Sequence, residues 1–160
     1  MNEWKDFFVV TAGAAATLTG LIFVGISISL AKILSVATLP GRAFISLLLL
    51  LTILVLSVIF IVPAQSFSVL GIVDLVVGVV VWAVILLIDI GIMRNKKNEY
   101  KKLYLFNLLL NQLSVLPYIV AGICIYSNGA GGLIWIVPAM VFSFIKAVLD
   151  AWVLLVEINR

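Results

Sequence analysis

Between Lys102 and Lys146 the chain runs for 43 residues without a charge, and between Asp6 and Lys32 for another 25. A helix rises ~1.5 Å per residue and the hydrocarbon core of a bilayer is ~30 Å thick, so ~20 apolar residues make one crossing. Composition agrees: 65% of the residues are hydrophobic and 11% charged, whereas a soluble domain carries roughly 25% charged residues. So little charge cannot cover the outside of a soluble globule. The sequence reads as an integral membrane protein, with residues 1–160 forming a single transmembrane domain.

Inside lipid the backbone has no water to bond with, so each span satisfies its own N–H and C=O groups as a helix. Charges and turn residues divide the sequence into spans at about 7–34, 43–62, 68–93, 103–126 and 133–157. Pro40-Gly41 punctuates the first connector and Pro63-Ala64-Gln65-Ser66 the second. The charged run 94–102 forms the third. Ser127-Asn128-Gly129-Ala130-Gly131-Gly132 splits the longest uncharged stretch. The expected fold is an all-α polytopic bundle of five spanning helices. Pro117 and Pro138 fall inside spans and predict kinks there.

Five crossings put the first connector, the 94–102 run and the C-terminus on one side. That side holds Lys32, Arg42, Arg94, Lys96, Lys97, Lys101, Lys102 and Arg160, eight of the ten basic residues. The other side has Lys5 alone, beside Glu3 and Asp6. Cations mark the cytoplasmic face, so the N-terminus is expected outside and the C-terminus in the cytoplasm. Trp4, Tyr126 and Trp135 then belong to the outer interface, Tyr100 and Tyr104 to the inner one. The head Met1–Asp6 is net acidic and its apolar run too long for a signal peptide. It reads as a retained first helix in a bacterial inner membrane.

Histidine is absent and Cys124 is the one cysteine. A disulfide framework, a Cys/His zinc site, a Cys–His nucleophile and a Ser–His–Asp triad are thereby excluded. No cofactor motif is present. A net charge of +3 with clustered cations gives no reason to expect nucleic acid as a partner.

Three spans carry polar stripes. Tyr100, Tyr104, Asn107, Asn111, Ser114 and Tyr118 step by three and four along the fourth span, which is one face of a helix. Ser143, Lys146, Asp150 and Glu157 share a face of the fifth, and Asp74, Gly78, Trp82 and Asp89 a face of the third. Asp89 and Asn107 lie ~6 Å in from the cytoplasmic ends, Asn111 and Asp150 deeper, and Lys146 near mid-membrane level with Ser114. A cation there costs ~2.5–3.5 kcal/mol on insertion scales and needs a partner. Asp150, at i+4, is the nearest candidate, and Asp89 the second. Asp89, Asn107, Asn111, Ser114, Lys146 and Asp150 form either a satisfied network that orients helices or a path for an ion, proton or small solute. Acid–base catalysis by the carboxylates is a third reading, although the motif blocks of aspartyl signal peptidases are absent. Asp74 stands apart, as a snorkelling side chain or an outer-mouth anion.

The first span is rich in small residues. Ala12, Ala16 and Gly20 are spaced by four, as are Gly25 and Ser29, and such ridges let helix backbones approach closely. Ala12, Ala16, Gly20 and Gly25 are therefore expected to form a packing face, within the chain or against a second copy; a pore-lining role is the other use. The loop cations Arg94, Lys96, Lys97, Lys101 and Lys102 read as a topology anchor against anionic lipid headgroups, or as a docking site for an acidic partner. Cys124 reads as a small apolar filler.

The opening Trp4-Lys5-Asp6-Phe7-Phe8-Val9-Val10-Thr11-Ala12-Gly13-Ala14-Ala15-Ala16-Thr17-Leu18-Thr19-Gly20-Leu21-Ile22-Phe23-Val24-Gly25-Ile26-Ser27, with Leu39-Pro40-Gly41-Arg42-Ala43, resembles a group of small bacterial integral membrane proteins of about this length. These are usually recorded without a function, and some carry an automatic label as modulators of a membrane protease. The resemblance covers the first two spans best. It implies a bacterial inner-membrane location and carries over no site residue. The sequence alone thus predicts a non-enzymatic, homo-oligomeric ion or proton channel or transporter-like protein, or a regulatory or assembly subunit of a membrane complex.

Overall fold

The computed structural model describes residues 2–36, 39–94 and 101–158. Every regular element among them is helical: α1 (Asn2–Ile28), α2 (Leu30–Ser35), α3 (Leu39–Ile61), α4 (Phe67–Arg94), α5 (Lys101–Asn128), a 3₁₀ segment (Gly129–Trp135) and α6 (Ile136–Ile158). Four stretches are long and apolar enough to cross a membrane: Trp4–Ile28, Leu39–Ile61, Phe67–Met93 and Leu105–Glu157. The last is 53 residues long and contains the 3₁₀ break. This is a multi-pass membrane protein.

The first expected span is interrupted. Ser29 leaves helical geometry at φ −107° and ψ 16°, and its carbonyl accepts from the amides of Lys32 and Ile33 to start α2. Gly25, Ser27 and Ser29 are weak helix formers. The turn they permit lets Ile33 bury against Leu39, Ala43 and Leu154. Pro40 and Gly41, expected in a connector, lie in the first turn of α3. Proline is tolerated there because its missing N–H has no helical partner in any case. The same holds for Pro138 in the first turn of α6, whereas Pro117 is within α5 as expected. Ser66 caps α4, its Oγ accepting from the Val69 amide at 3.3 Å.

The five long helices alternate in direction. Phe8 stacks on Phe60, with ring centroids 5.0 Å apart, and Thr11 shares a 2.9 Å hydroxyl–hydroxyl bond with Ser57, so α1 and α3 run antiparallel. Gly41 meets Ile88 and Ile92 across α3 and α4. Asn111 meets Asp89, Tyr118 meets Gly78 and Tyr126 meets Gly71 across α4 and α5. On the far side of α5, Ser114 meets Ser143 while Cys124 meets Gly132, so α6 folds back along α5. The α3 helix is central, touching α1, α4 and α6, whereas α1 packs on α3 and on the short α2.

Small residues do carry a close helix contact, but on α4 and α5. A Cβ on Gly71 would lie 2.6 Å from the Tyr126 amide nitrogen, and one on Gly122 would lie 2.6 Å from that of Leu75. Only glycine allows the two backbones to come this near. The ridge of Ala12, Ala16, Gly20 and Gly25 is not the packing face within the chain. Ala16 and Gly20 are exposed, Ala12 and Gly25 half-buried, and a Cβ on Gly20 or Gly25 would meet nothing within 4 Å. The α1–α3 contact uses Phe8, Ala15, Leu18 and Ile22 instead, larger side chains that offer α3 more atoms for dispersion. The ridge points away from α3.

Two serines pin α6 from both sides. Ser46 Oγ on α3 donates to the Ala147 carbonyl at 2.8 Å, and Ser143 Oγ on α6 donates to the Ser114 carbonyl of α5 at 2.9 Å.

Candidate functional site

The polar residues gather toward the end of the bundle where α3 begins. On α6, Lys146 and Asp150 stand one turn apart on the buried face. Lys146 Nζ donates to Asp150 Oδ2 in an ion pair of which each side chain is 4% exposed or less. Asp150 is thus the partner of the mid-membrane lysine. On α4, Asp89 is 4% exposed and accepts from Asn111 Nδ2 on α5.

Arg42 completes the set. Starting α3 at Leu39 carries Arg42 into the bundle's edge, where it lines a small groove with Asp89, Ile92, Met93, Asn107 and Leu108. Its charge reaches both Asp89 and Lys146, and Lys146 in turn reaches Asp89. Two cations and two carboxylates from three helices form one neutral quartet. A buried charge costs several kcal/mol unless paired and hydrogen-bonded, so the balance, with Arg42 at the edge, is what lets Asp89, Lys146 and Asp150 stay inside an apolar bundle.

Of the six residues expected in a polar network, the structure brings five around this quartet: Asp89, Asn107, Asn111, Lys146 and Asp150. Asn107 is half-buried in the groove beside Asp89. The depth order shifts, since Asp89 bonds Asn111 rather than Asn107. Ser114 is the exception. Its hydroxyl donates to its own helix at Leu110 O, 2.8 Å away, and to Phe142 O at 3.3 Å. It serves the α5–α6 contact and offers no free donor to a solute. The basic run of Arg94, Lys96, Lys97, Lys101 and Lys102 lies outside the described residues, apart from the backbone of Arg94, Lys101 and Lys102 at helix ends.

Sequence reasoning missed Arg42, read as a loop cation, and Gln112, which lies off the α5 stripe. Gln112 Oε1 accepts from Trp82 Nε1 at 2.6 Å, a second polar bond between α4 and α5. The position of Trp82 on the same α4 face as Asp89 was the available signal.

Comparison with protein families, curated proteins and solved structures finds no match. The geometry therefore carries the functional reading. No nucleophile stands beside a base in the quartet, and no group of three or more His, Cys, Asp or Glu residues among those described is placed to hold a metal. What the arrangement offers is fixed charge of both signs and amide hydrogen bonding inside the membrane, with one groove at its edge.

Proposed function

We propose that this protein is a non-enzymatic, homo-oligomeric channel or transporter-like protein of the bacterial inner membrane that passes protons or small ions. The observation that carries the reading is the buried set of Asp89, Lys146 and Asp150, with Arg42 half-buried at the bundle's edge. Packing alone needs no such groups, and intramembrane charges mark ion and proton pathways more often than not. In this reading the groove of Arg42, Asp89 and Asn107 is the cytoplasmic mouth, and Lys146 the fixed positive charge that sets ion preference. The antiparallel alternation of five long helices supports five crossings, and the eight of ten cations on one side support an N-terminus outside and a C-terminus in the cytoplasm, with the basic run against anionic headgroups.

Purified protein in liposomes tests this. Flux of protons or small ions above that of empty liposomes is expected, with Lys146→Met changing the cation/anion preference. No flux across ions, pH values and membrane potentials, together with wild-type behaviour of Lys146→Met in cells, would remove the conduction reading.

One observation favours a second reading, a regulatory or assembly subunit. On the small-residue side of α1 a Cβ at Gly13 or Gly20 meets none of the described residues within 4 Å, and this side is suited to a helix of another membrane protein. A partner that co-purifies at fixed stoichiometry and is lost in Gly20→Leu would support it over self-assembly.

A further inference from the structure

Asp74 belongs to none of the groups above. It lies seven residues beyond Phe67 on α4, ~10 Å from that helix end, at the opposite end of the helix from Asp89. Gly71 and Gly78, a turn to either side, both press against α5, which puts Asp74 at a close helix contact. Its side chain is 0% exposed. Neither carboxylate oxygen has a hydrogen-bond partner among the described residues. Across the same contact Tyr118 on α5 is likewise 0% exposed, and both Ser143 of α6 and the Asp74 charge act on its hydroxyl. An orphaned carboxylate and a buried tyrosine thus lie at one helix contact.

The described residues bring no cation to this spot. From α5 comes Tyr118. The charged residue of α3 is Arg42, and those buried on α6 are Lys146 and Asp150; all three belong to the quartet, where their charges act on one another and on Asp89. The 3₁₀ segment Gly129–Trp135 carries no charge, and Lys5 and Asp6 of α1 are exposed. A carboxylate moved from water into a low-dielectric interior without compensation costs more than a bundle's whole stability. The balancing charge therefore comes from outside the chain, and one carboxylate calls for one positive charge.

We propose that Asp74 and Tyr118 form a second buried site, separate from the quartet, that binds a small monovalent cation: a proton or an alkali-metal ion. The Asp74 carboxylate is the primary ligand and the Tyr118 hydroxyl oxygen the second. The site does not depend on the conduction reading, because occupancy requires only that the cation reach it from one side.

The chain has four aspartates, Asp6, Asp74, Asp89 and Asp150, so a carboxyl-¹³C aspartate label gives four signals. The experiment is solid-state NMR of the full chain in phosphatidylcholine vesicles. Asp74→Asn assigns the signal, and Asp74→Glu, which keeps the carboxyl but leaves the labelled set, assigns it if the first variant does not fold. One series varies pH in choline buffer without alkali ions; the other adds sodium or potassium at fixed pH. A proton occupant moves the Asp74 signal from the acid to the carboxylate position in the first series. An alkali occupant moves it in the second. Tyr118→Phe is expected to displace the midpoint by about threefold or more in cation concentration, the weight of one hydrogen bond. An Asp74 signal that stays fixed through both series overturns the site. A Tyr118→Phe profile superimposable on wild type removes Tyr118 from it. Neither readout involves flux, so failure of conduction and failure of this site are told apart.

Discussion

Asn111 on α5 offers one amide nitrogen to both carboxylate oxygens of Asp89 on α4, at 3.0 and 2.9 Å. The fork ties the α4–α5 pair together at the end away from Gly71 and Gly122, so that pair is fastened by backbone contact at one end and by a charged hydrogen bond at the other. Its cost is the Asn111 carbonyl oxygen, buried with no partner among the described residues.

Asn111→Leu is therefore expected to destabilise by about 2 kcal/mol, the range for losing a hydrogen bond to a charged group. Asn111→Asp is expected to do worse, since it sets a like charge against Asp89. Asp89→Asn keeps an acceptor for Asn111 but leaves the buried cations one negative charge short, and is expected to cost more than Asn111→Leu. Equilibrium unfolding in mixed micelles measures the order; an Asn111→Leu variant as stable as wild type would show the fork to be unimportant.

Lys146 and Asp150 are expected to behave as one unit. Lys146→Met or Asp150→Leu alone strands a charge in low dielectric, at a cost of about 3–5 kcal/mol. The double variant is expected to recover much of that. Strictly additive losses in the double-mutant cycle would mean that the two side chains do not share an environment.

The two kinds of small residue are expected to part company. Gly122→Leu or Gly71→Leu forces a side chain into a neighbouring backbone and is expected to cost about 3 kcal/mol or to prevent folding. Gly20→Leu meets nothing within the chain and is expected to leave monomer stability unchanged. Thermal unfolding of the three variants in detergent decides it, and equal losses at Gly20 and Gly122 would contradict the packing described above.

These cases show what was legible in the sequence. The helices were readable because charges and turn residues bound them, as at Phe67–Arg94. The Lys146–Asp150 pair was readable because i and i+4 meet on any helix. Partners between helices were only half readable: equal depth linked Asp89 to Asn107, while side-chain reach joined it to Asn111. Arg42 was hidden by the start of α3, which Pro40 and Gly41 disguised as a loop. Which small residues pack was not readable at all. The ridge on α1 has the familiar spacing, whereas Gly71 and Gly78 are seven apart and Gly122 has no small neighbour on the same face, so only the tertiary structure reveals their contact.

Topology is open to chemical labelling on a background lacking Cys124. Cysteines at Ser66 and Gly131 are expected to react with an impermeant thiol reagent on intact cells, and cysteines at Thr38 and Asn98 to be protected. The reverse pattern would invert the orientation, and reaction at only one of the first two positions would change the number of crossings.

The seryl bonds on α6 make the described form a latched one. Ser46 holds the Ala147 carbonyl and Ser143 holds that of Ser114, so separating α6 from α3 and α5 means releasing both. Each bond contributes about 1 kcal/mol, on top of the apolar contact that α6 makes with both helices. Removing either serine hydroxyl is therefore expected to loosen α6 without touching a single charge.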